Sequence, residues 1–203
     1  MTSNLQPQKT ALIAAAQKIY DQKLVAAHAG NLSLYLLSGN ILITAANRSK
    51  GGLQPADILL VDAQGQPLEA AAESRPSSET GLHLAIYRSD PAIKAIIHAH
   101  PPYATALASS GQEFDWQLLE ESRLLLGPVP TVPYQPAGSA ELAAAVSQAA
   151  PGHAALLLAN HGAVCWGADL EQALFRLEAL EHSARIMTYA HLWQQQLRSH
   201  HVS

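Results

Sequence analysis

The chain has 203 residues, 48% of them hydrophobic and 14% charged, a size and apolar content that suit one compact domain with a full core and exclude disorder or a coiled coil. Twelve Lys plus Arg against sixteen Asp plus Glu give a net charge of -4 with no basic block to track a phosphate backbone, so nucleic acid is excluded as a partner. No apolar run approaches the roughly 20 residues of a membrane span, and the polar stretch Met1 to Lys9 has no leader signature. The single Cys165 allows no internal disulfide, so a cytoplasmic protein is expected, whose metal ligands would be histidine and carboxylate.

Between Thr10 and Leu24, the residues Leu12, Ile13, Ala16, Ile19, Tyr20 and Leu24 recur at spacings of three and four and predict an amphipathic helix. Asn31 to Leu37, Asn40 to Thr44 and Asp57 to Asp62 read as strands, joined through Ser38-Gly39 and the Gly51-Gly52 loop. A helix is expected to start at Ser77 or Ser78 under a hydroxyl cap and to close before Pro91. The β-branched run Ile93 to His98 stops at Pro101 and Pro102, which sets its histidines at a strand end. A helix near Ala104 to Ser109 follows, then an ambiguous stretch from Phe114 to Leu126 and a short strand at Val129 to Val132. Ser139 caps an Ala-rich helix running to Ala150. Strands at Ala154 to Ala159 and Ala163 to Trp166 flank Asn160-His161-Gly162, a tight turn in which the glycine would permit unusual backbone angles. Asp169 with Gln172 resembles a capping box and opens the longest helix, with Leu170, Ala173, Leu174, Leu177, Leu180 and Ala184 as its stripe. Interleaved strands and helices without repeat or linker predict one α/β domain over residues 1–203, with Ser199 to Ser203 fraying.

His98 and His100 are two apart, so on extended backbone their side chains share a face and could share an ion, although a His-x-His pair also occurs by chance. His161 could supply a third imidazole, and three protein ligands with an open position are what a catalytic zinc ion requires. Glu79, behind two serines, could complete the shell, act as a base, or simply place a favourable charge at a helix start.

Gly30-Asn31-Leu32-Ser33, the run Arg75 to Glu79, IIHAHPPYATAL from Ile96, VPYQPAGSAEL from Val132 and LLANHGAVCWGADLEQAL from Leu157 together resemble the class II aldolase/adducin-head family, in its L-fuculose-1-phosphate aldolase-like branch. The resemblance implies a three-layer α/β/α fold around a mainly antiparallel sheet, and a homotetramer with active sites at subunit interfaces. It implies zinc held by His98, His100 and His161, with Glu79 as the carboxylate that ligates the free ion and then serves as acid/base. Gly30, Asn31, Ser77 and Ser78 match groups that hold the substrate phosphate. The implied reaction is cleavage or formation of a ketose, in all expectation a ketose 1-phosphate, through a metal-stabilised enediolate. A methylthioribulose-phosphate dehydratase or a sugar-acid decarboxylase is the alternative. The family's 4-epimerases typically carry Asp where Glu79 stands, and adducin-type heads lack the zinc histidines that are intact here.

The chain departs from the family pattern at Thr44-Ala45-Ala46-Asn47, where the aldolases read Thr-Pro-Ser/Thr-Gly, and at His28, where Thr is common. Asn47, Arg48 or His28 could compensate, or the substrate could be an unphosphorylated or carboxylated sugar. Leu119 falls where the fuculose enzyme has a proton-donating tyrosine, and no tyrosine follows Tyr189. Near Leu119, Glu121 rather than Glu120 is the candidate for the missing acid, reaching a neighbouring subunit, with a solvated surface carboxylate as the alternative. Tyr103 is read as packing, Cys165 and Trp166 as buried structure, and His83, His182 and His191 as structural or surface residues.

Overall fold

Seven short strands dominated by Ile, Leu, Val and Ala form one sheet in the order β3-β2-β1-β4-β7-β6-β5 in a computed structural model that describes residues 5–68 and 74–200. They are β1 Asn31–Tyr35, β2 Ile41–Thr44, β3 Ile58–Val61, β4 Ala95–Ala99, β5 Thr131–Val132, β6 Ala155–Leu158 and β7 Gly162–Gly167. All neighbours are antiparallel except β5 and β6, which run parallel. The helices are α1 Gln6–Asp21, α2 Thr80–Ser89, α3 Pro102–Ser110, α4 Glu120–Leu125, α5 Ala140–Ala149 and α6 Leu170–His200.

Strand periodicity of two sorts the core into two apolar layers. Leu32, Leu42, Ile97, Leu157 and Cys165 face α1, α3 and α6, while Ile41, Ile43, Ile96, Leu156, Val164 and Trp166 face α2 and α5. The result is the expected three-layer α/β/α sandwich, with helices on both faces of a mainly antiparallel sheet.

Several boundaries differ from the sequence expectations for local reasons. Helix α1 starts earlier, with Pro7 in its first turn, and ends at Asp21; Lys23 turns left-handed at φ 62° and Leu24 is buried beyond the helix. Strand β1 stops at Tyr35, because Leu36 already bonds Asn40 across the turn and Leu37 is fully exposed. Strand β4 starts at Ala95 and includes His98, so only His100 lies beyond the strand end. Pro102 opens α3, ahead of Ala104. The stretch from Phe114 resolves into the six-residue α4, and β5 is confined to Thr131–Val132.

The start of α2 is the correction that matters for function. The helix begins at Thr80 with Glu79 at its N-cap and no side-chain cap, so Ser77 and Ser78 precede it. Ser77 instead folds the approach: its Oγ accepts from Glu79 N at 3.3 Å and its carbonyl from Thr80 N at 3.1 Å. At α5 the expected cap is present, Ser139 Oγ accepting from Leu142 N at 3.1 Å. At α6 Asp169 Oδ1 accepts from Gln172 N at 2.7 Å, while the Gln172 amide oxygen returns to Ala168 N at 2.9 Å. α6 extends to His200; the rest of the stretch expected to fray, residues 201–203, lies outside the described residues.

Candidate metal and active site

Three imidazoles converge where β4 ends and β7 begins. His98 sits on β4 opposite Asn31 of β1 and Val164 of β7, His100 follows the strand, and His161 belongs to the turn into β7. Their ring centroids are 4.8 to 5.0 Å apart and the rings are steeply inclined to one another, in T-shaped pairs at 63 to 80°. One ligating atom from each lies within 4.8 Å of the others, close enough for one ion. The turn achieves this through two residues, with roles other than the sequence implied: Asn160, not Gly162, takes the left-handed conformation at φ 55°. Gly162 is needed for close approach, since a Cβ there would sit 2.4 Å from Ala99 O and 2.8 Å from His100 Cδ2.

Glu79 enters the same point. Its Oε2 is 3.1 Å from His98 Nε2 and its Oε1 is 3.3 Å from His161 Nε2. His98 Nδ1 lies 2.9 Å from Ala163 O, and since a carbonyl only accepts, the proton of a neutral His98 is on Nδ1 and the bare Nε2 faces the carboxylate. Two lone pairs facing each other at that distance call for a cation between them. Glu79 Oε1 and His161 Nδ1 are buried without a hydrogen-bond partner among the described residues, which fits a set of metal ligands. The donor set, three imidazoles and a carboxylate, suits zinc or a related divalent transition metal.

The local electrostatics favour ligation. Burial, reinforced by His98 and His161, pushes His100 down to about 3, and burial with His98 lowers His161, so both imidazoles stay neutral and able to ligate. Burial alone would raise Glu79; positive charge held between it, His98 and His161, together with the hydrogen bond from the Asn31 amide, outweighs this and holds the carboxyl well below its usual range.

A cavity of about 260 Å³ opens onto these groups. Gly30, Asn31, Ser77, Ser78, Glu79, His100 and His161 all line it, and buried His98 lies directly behind. The loop after β2 forms the facing wall: Ala46 N donates to Arg75 O at 2.9 Å and Ser77 N to Thr44 O at 3.2 Å, so Ala45, Ala46 and Asn47 run beside the two serines. Asn31 contributes less to the open space than its sequence position implies, because its amide is engaged with Glu79 at 2.8 Å and with His83 at 2.5 Å. Glu121 is exposed in the first turn of α4 and is absent from the cavity lining.

Two residues of the site escape the sequence reading. Lys50 is fully buried in the cavity wall, where its ammonium donates to the carbonyls of His28, at 3.1 Å, and Arg48, and burial pushes it down to about 8. Nothing in Ser49-Lys50-Gly51 distinguishes it from a solvated loop lysine. His83 is also fully buried; its signal is the series Glu79, His83, Tyr87, which falls on one helical face opposite Asn31 and Ser33, two apart on a strand. Cys165 and Trp166 are buried, with the thiol pushed up to about 12 by burial, and His182 and His191 are exposed. Tyr103 packs half-buried against the core, its hydroxyl 3.1 Å from that of Tyr189.

Comparison with known proteins agrees with this architecture. The family model described as Class II Aldolase and Adducin N-terminal domain matches residues 10–188. The 3-oxo-tetronate 4-phosphate decarboxylase of Escherichia coli strain K12 is 34% identical over 182 residues, covering 85% of this chain and 82% of the relative. The L-fuculose phosphate aldolase of Methanocaldococcus jannaschii is 34% identical over 178 residues, covering 88% and 94%. Among solved structures, the L-fuculose-1-phosphate aldolase from Thermus thermophilus superposes with a TM-score of 0.80 at 32% identity, covering 92% of this chain and 95% of that one. The chain belongs to the class II aldolase family, and is a metal-dependent lyase.

Proposed function

We propose that this protein is a zinc-dependent class II aldolase that makes or breaks a carbon-carbon bond in a small ketose phosphate. The observation that carries the reading is Glu79, whose two oxygens stand 3.1 and 3.3 Å from two imidazoles of a three-histidine cluster at the floor of a cavity. His98, His100 and His161 would hold the ion, with Glu79 as a fourth ligand in the absence of substrate. When bound, the ion would draw electron density from a carbonyl and its neighbouring hydroxyl and so stabilise negative charge beside the breaking bond. Glu79, anionic at rest, takes the proton from carbon next to the carbonyl in the forming direction and returns it in the cleaving direction.

The other wall carries the anionic end of the substrate. Ser77 and Ser78 offer hydroxyls, Gly30 offers close backbone approach, and Lys50 and His28 add positive charge or donors where Ala46 has removed a hydroxyl and Asn47 stands in place of a glycine. A phosphate is therefore accepted, with weaker dependence on it than an enzyme with a full set of hydroxyls would show. Active sites completed by neighbouring subunits of a homotetramer, a single functional domain and a cytoplasmic location belong to the same proposal. Among the described residues, no helix is long and apolar enough to cross a membrane.

A second reading, decarboxylation of a 3-oxo sugar acid phosphate, is favoured by one feature. Among the described residues Glu79 is the only carboxylate lining the cavity, and loss of carbon dioxide needs one proton delivered to carbon, whereas aldol cleavage also removes a proton from a hydroxyl. The experiment is to incubate zinc-loaded protein with ketose 1-phosphates, their unphosphorylated forms and 3-oxo sugar acid phosphates, and to follow products by mass spectrometry. Aldehyde plus dihydroxyacetone phosphate is the expected result; carbon dioxide alone moves the assignment to the decarboxylase, and no turnover of any member refutes both.

A further inference from the structure

A buried row of polar side chains leads from the site into the core. Glu79 Oε2, Asn31, His83, Ser33 and Tyr87 are linked in that order at 2.8, 2.5, 2.6 and 2.8 Å. The row exists because two periodicities mesh: Asn31 and Ser33 point to one face of β1, and His83 and Tyr87 stand one turn apart on α2. Every member is buried, so the polar atoms that link the row must each meet a complementary donor or acceptor.

That condition fixes its direction. A carboxylate only accepts, so the Asn31 amide nitrogen donates to Glu79 Oε2, and the Asn31 oxygen must accept from His83 Nε2. Neutral His83 then has a bare Nδ1, which accepts from the Ser33 hydroxyl, and Ser33 in turn accepts from Tyr87. The competing acceptor for Tyr87, Lys94 O, is at 3.5 Å, too far to win its one proton. All hydrogens in the row thus point toward Glu79.

We infer that His83, acting through Asn31, is a positioning residue that ties down Glu79 Oε2 and leaves Oε1 as the oxygen that exchanges the substrate proton. Oε1 has no hydrogen-bond partner among the described residues and lies 3.3 Å from Nε2 of His161, a residue that lines the cavity. Oε2 accepts from the Asn31 amide at 2.8 Å and faces His98 Nε2 at 3.1 Å. Without the His83 donor, the Asn31 oxygen is buried unpaired, its amide is free to turn over, and a carbonyl oxygen then faces the carboxylate. The inference rests on the proposed role of Glu79 as the proton-transfer group.

The test has two arms on the zinc-loaded protein. In the first, nitrogen NMR of the ¹⁵N-histidine-labelled protein, with His83 assigned by its loss in His83→Gln, should show a neutral ring protonated on Nε2. A ring protonated on Nδ1, or doubly protonated, overturns the direction of the row. In the second, exchange of the carbon-bound hydrogen of dihydroxyacetone phosphate with deuterated solvent is followed in variants. His83→Met should slow exchange by about 10- to 100-fold at unchanged KM and zinc content, as supporting hydrogen bonds around such sites do. His83→Gln, whose amide can donate to Asn31, should recover to within about threefold of wild type, while His83→Asn, which is too short, should not. Equal rates in the Met and Gln variants overturn the inference. So does a further loss when His83→Met is added to Glu79→Gln, since a residue acting through Glu79 has nothing left to steer. Wild-type exchange in Glu79→Gln itself would instead refute the role of Glu79, with the NMR result still deciding the orientation of the row.

Discussion

Gly162→Ala tests whether the metal cluster depends on backbone contact between β7 and the end of β4. The new methyl would meet Ala99 O at 2.4 Å and His100 Cδ2 at 2.8 Å, against ordinary contacts above about 3.4 Å, so roughly an ångström of overlap must be relieved. The first obstacle is backbone in a central strand, held in register with Ala163, and cannot rotate aside. Overpacking of this kind costs about 1 to 3 kcal/mol, and the upper half of that range applies here. In a chain of this size that is a fall in Tm of about 5 to 10 °C. Relief by displacement would also move His100, so zinc affinity should drop by at least about 10-fold. Urea unfolding of the metal-free protein measures the first effect, and competition with a chromophoric chelator the second. Gly81→Ala is the control, because its Cβ meets only Ala143 Cβ at 3.6 Å within α2, and alanine there should be neutral or stabilising by up to about 1 kcal/mol. A Gly162→Ala protein with the control's stability and wild-type zinc affinity would refute the close-approach argument.

The purified protein should hold about one divalent ion per chain by elemental analysis, and His100→Ala should lose it, through removal of one of three converging imidazoles. Glu79→Gln should keep the fold and most of the metal while turnover on the substrate found by mass spectrometry falls by about 100-fold or more. The metal-free protein should lose stability as pH falls: burial pushes His83 down to about 3 from 6.5, so between those values the unfolded chain binds the extra proton. The slope for that one residue reaches about 1.4 kcal/mol per pH unit, and urea midpoints measured from pH 7 to pH 5 in wild type and His83→Gln check it.

What is legible in the sequence is whatever depends on local pattern. The histidine pair, Asn160-His161-Gly162 and the Ser139 and Asp169 caps are short-range signals whose geometry is set by strand and helix periods, and each lies in the structure where the period puts it. The start of α2 is misplaced by sequence reasoning because Ser77 and Ser78 have the chemistry of caps; what holds them outside the helix is pairing of residues 75–77 with 44–46, a contact between segments some thirty residues apart. Lys50 is invisible for the same reason. Its burial depends on carbonyls of His28 and Arg48 that converge only when the loop after β2 folds over the start of β1. His83 can be found by laying the helical series from Glu79 against the strand pair Asn31 and Ser33, but the ligand spacing of the histidines alone gives no reason to do so.

The location of the site follows from strand direction. Because β4 lies between β1 and β7 and runs antiparallel to both, the beginning of β1, the end of β4 and the beginning of β7 fall at the same end of the sheet. Gly30-Asn31, His98 to His100 and His161-Gly162 are the residues at those three points, so motifs separated by more than sixty positions become adjacent without any long loop reaching between them. The face is chosen as strictly as the end. His98 shares the α2 and α5 side with Ile96, whereas Ile97 and Ala99 belong to the other layer. A slip of one residue in β4 would exchange those sides, bury the imidazole against α6 and remove it from Glu79. The apolar alternation of β4 therefore does more than build the core: the burial of Ile96 and Ile97 in opposite layers is what holds His98 in the register where a metal site can form.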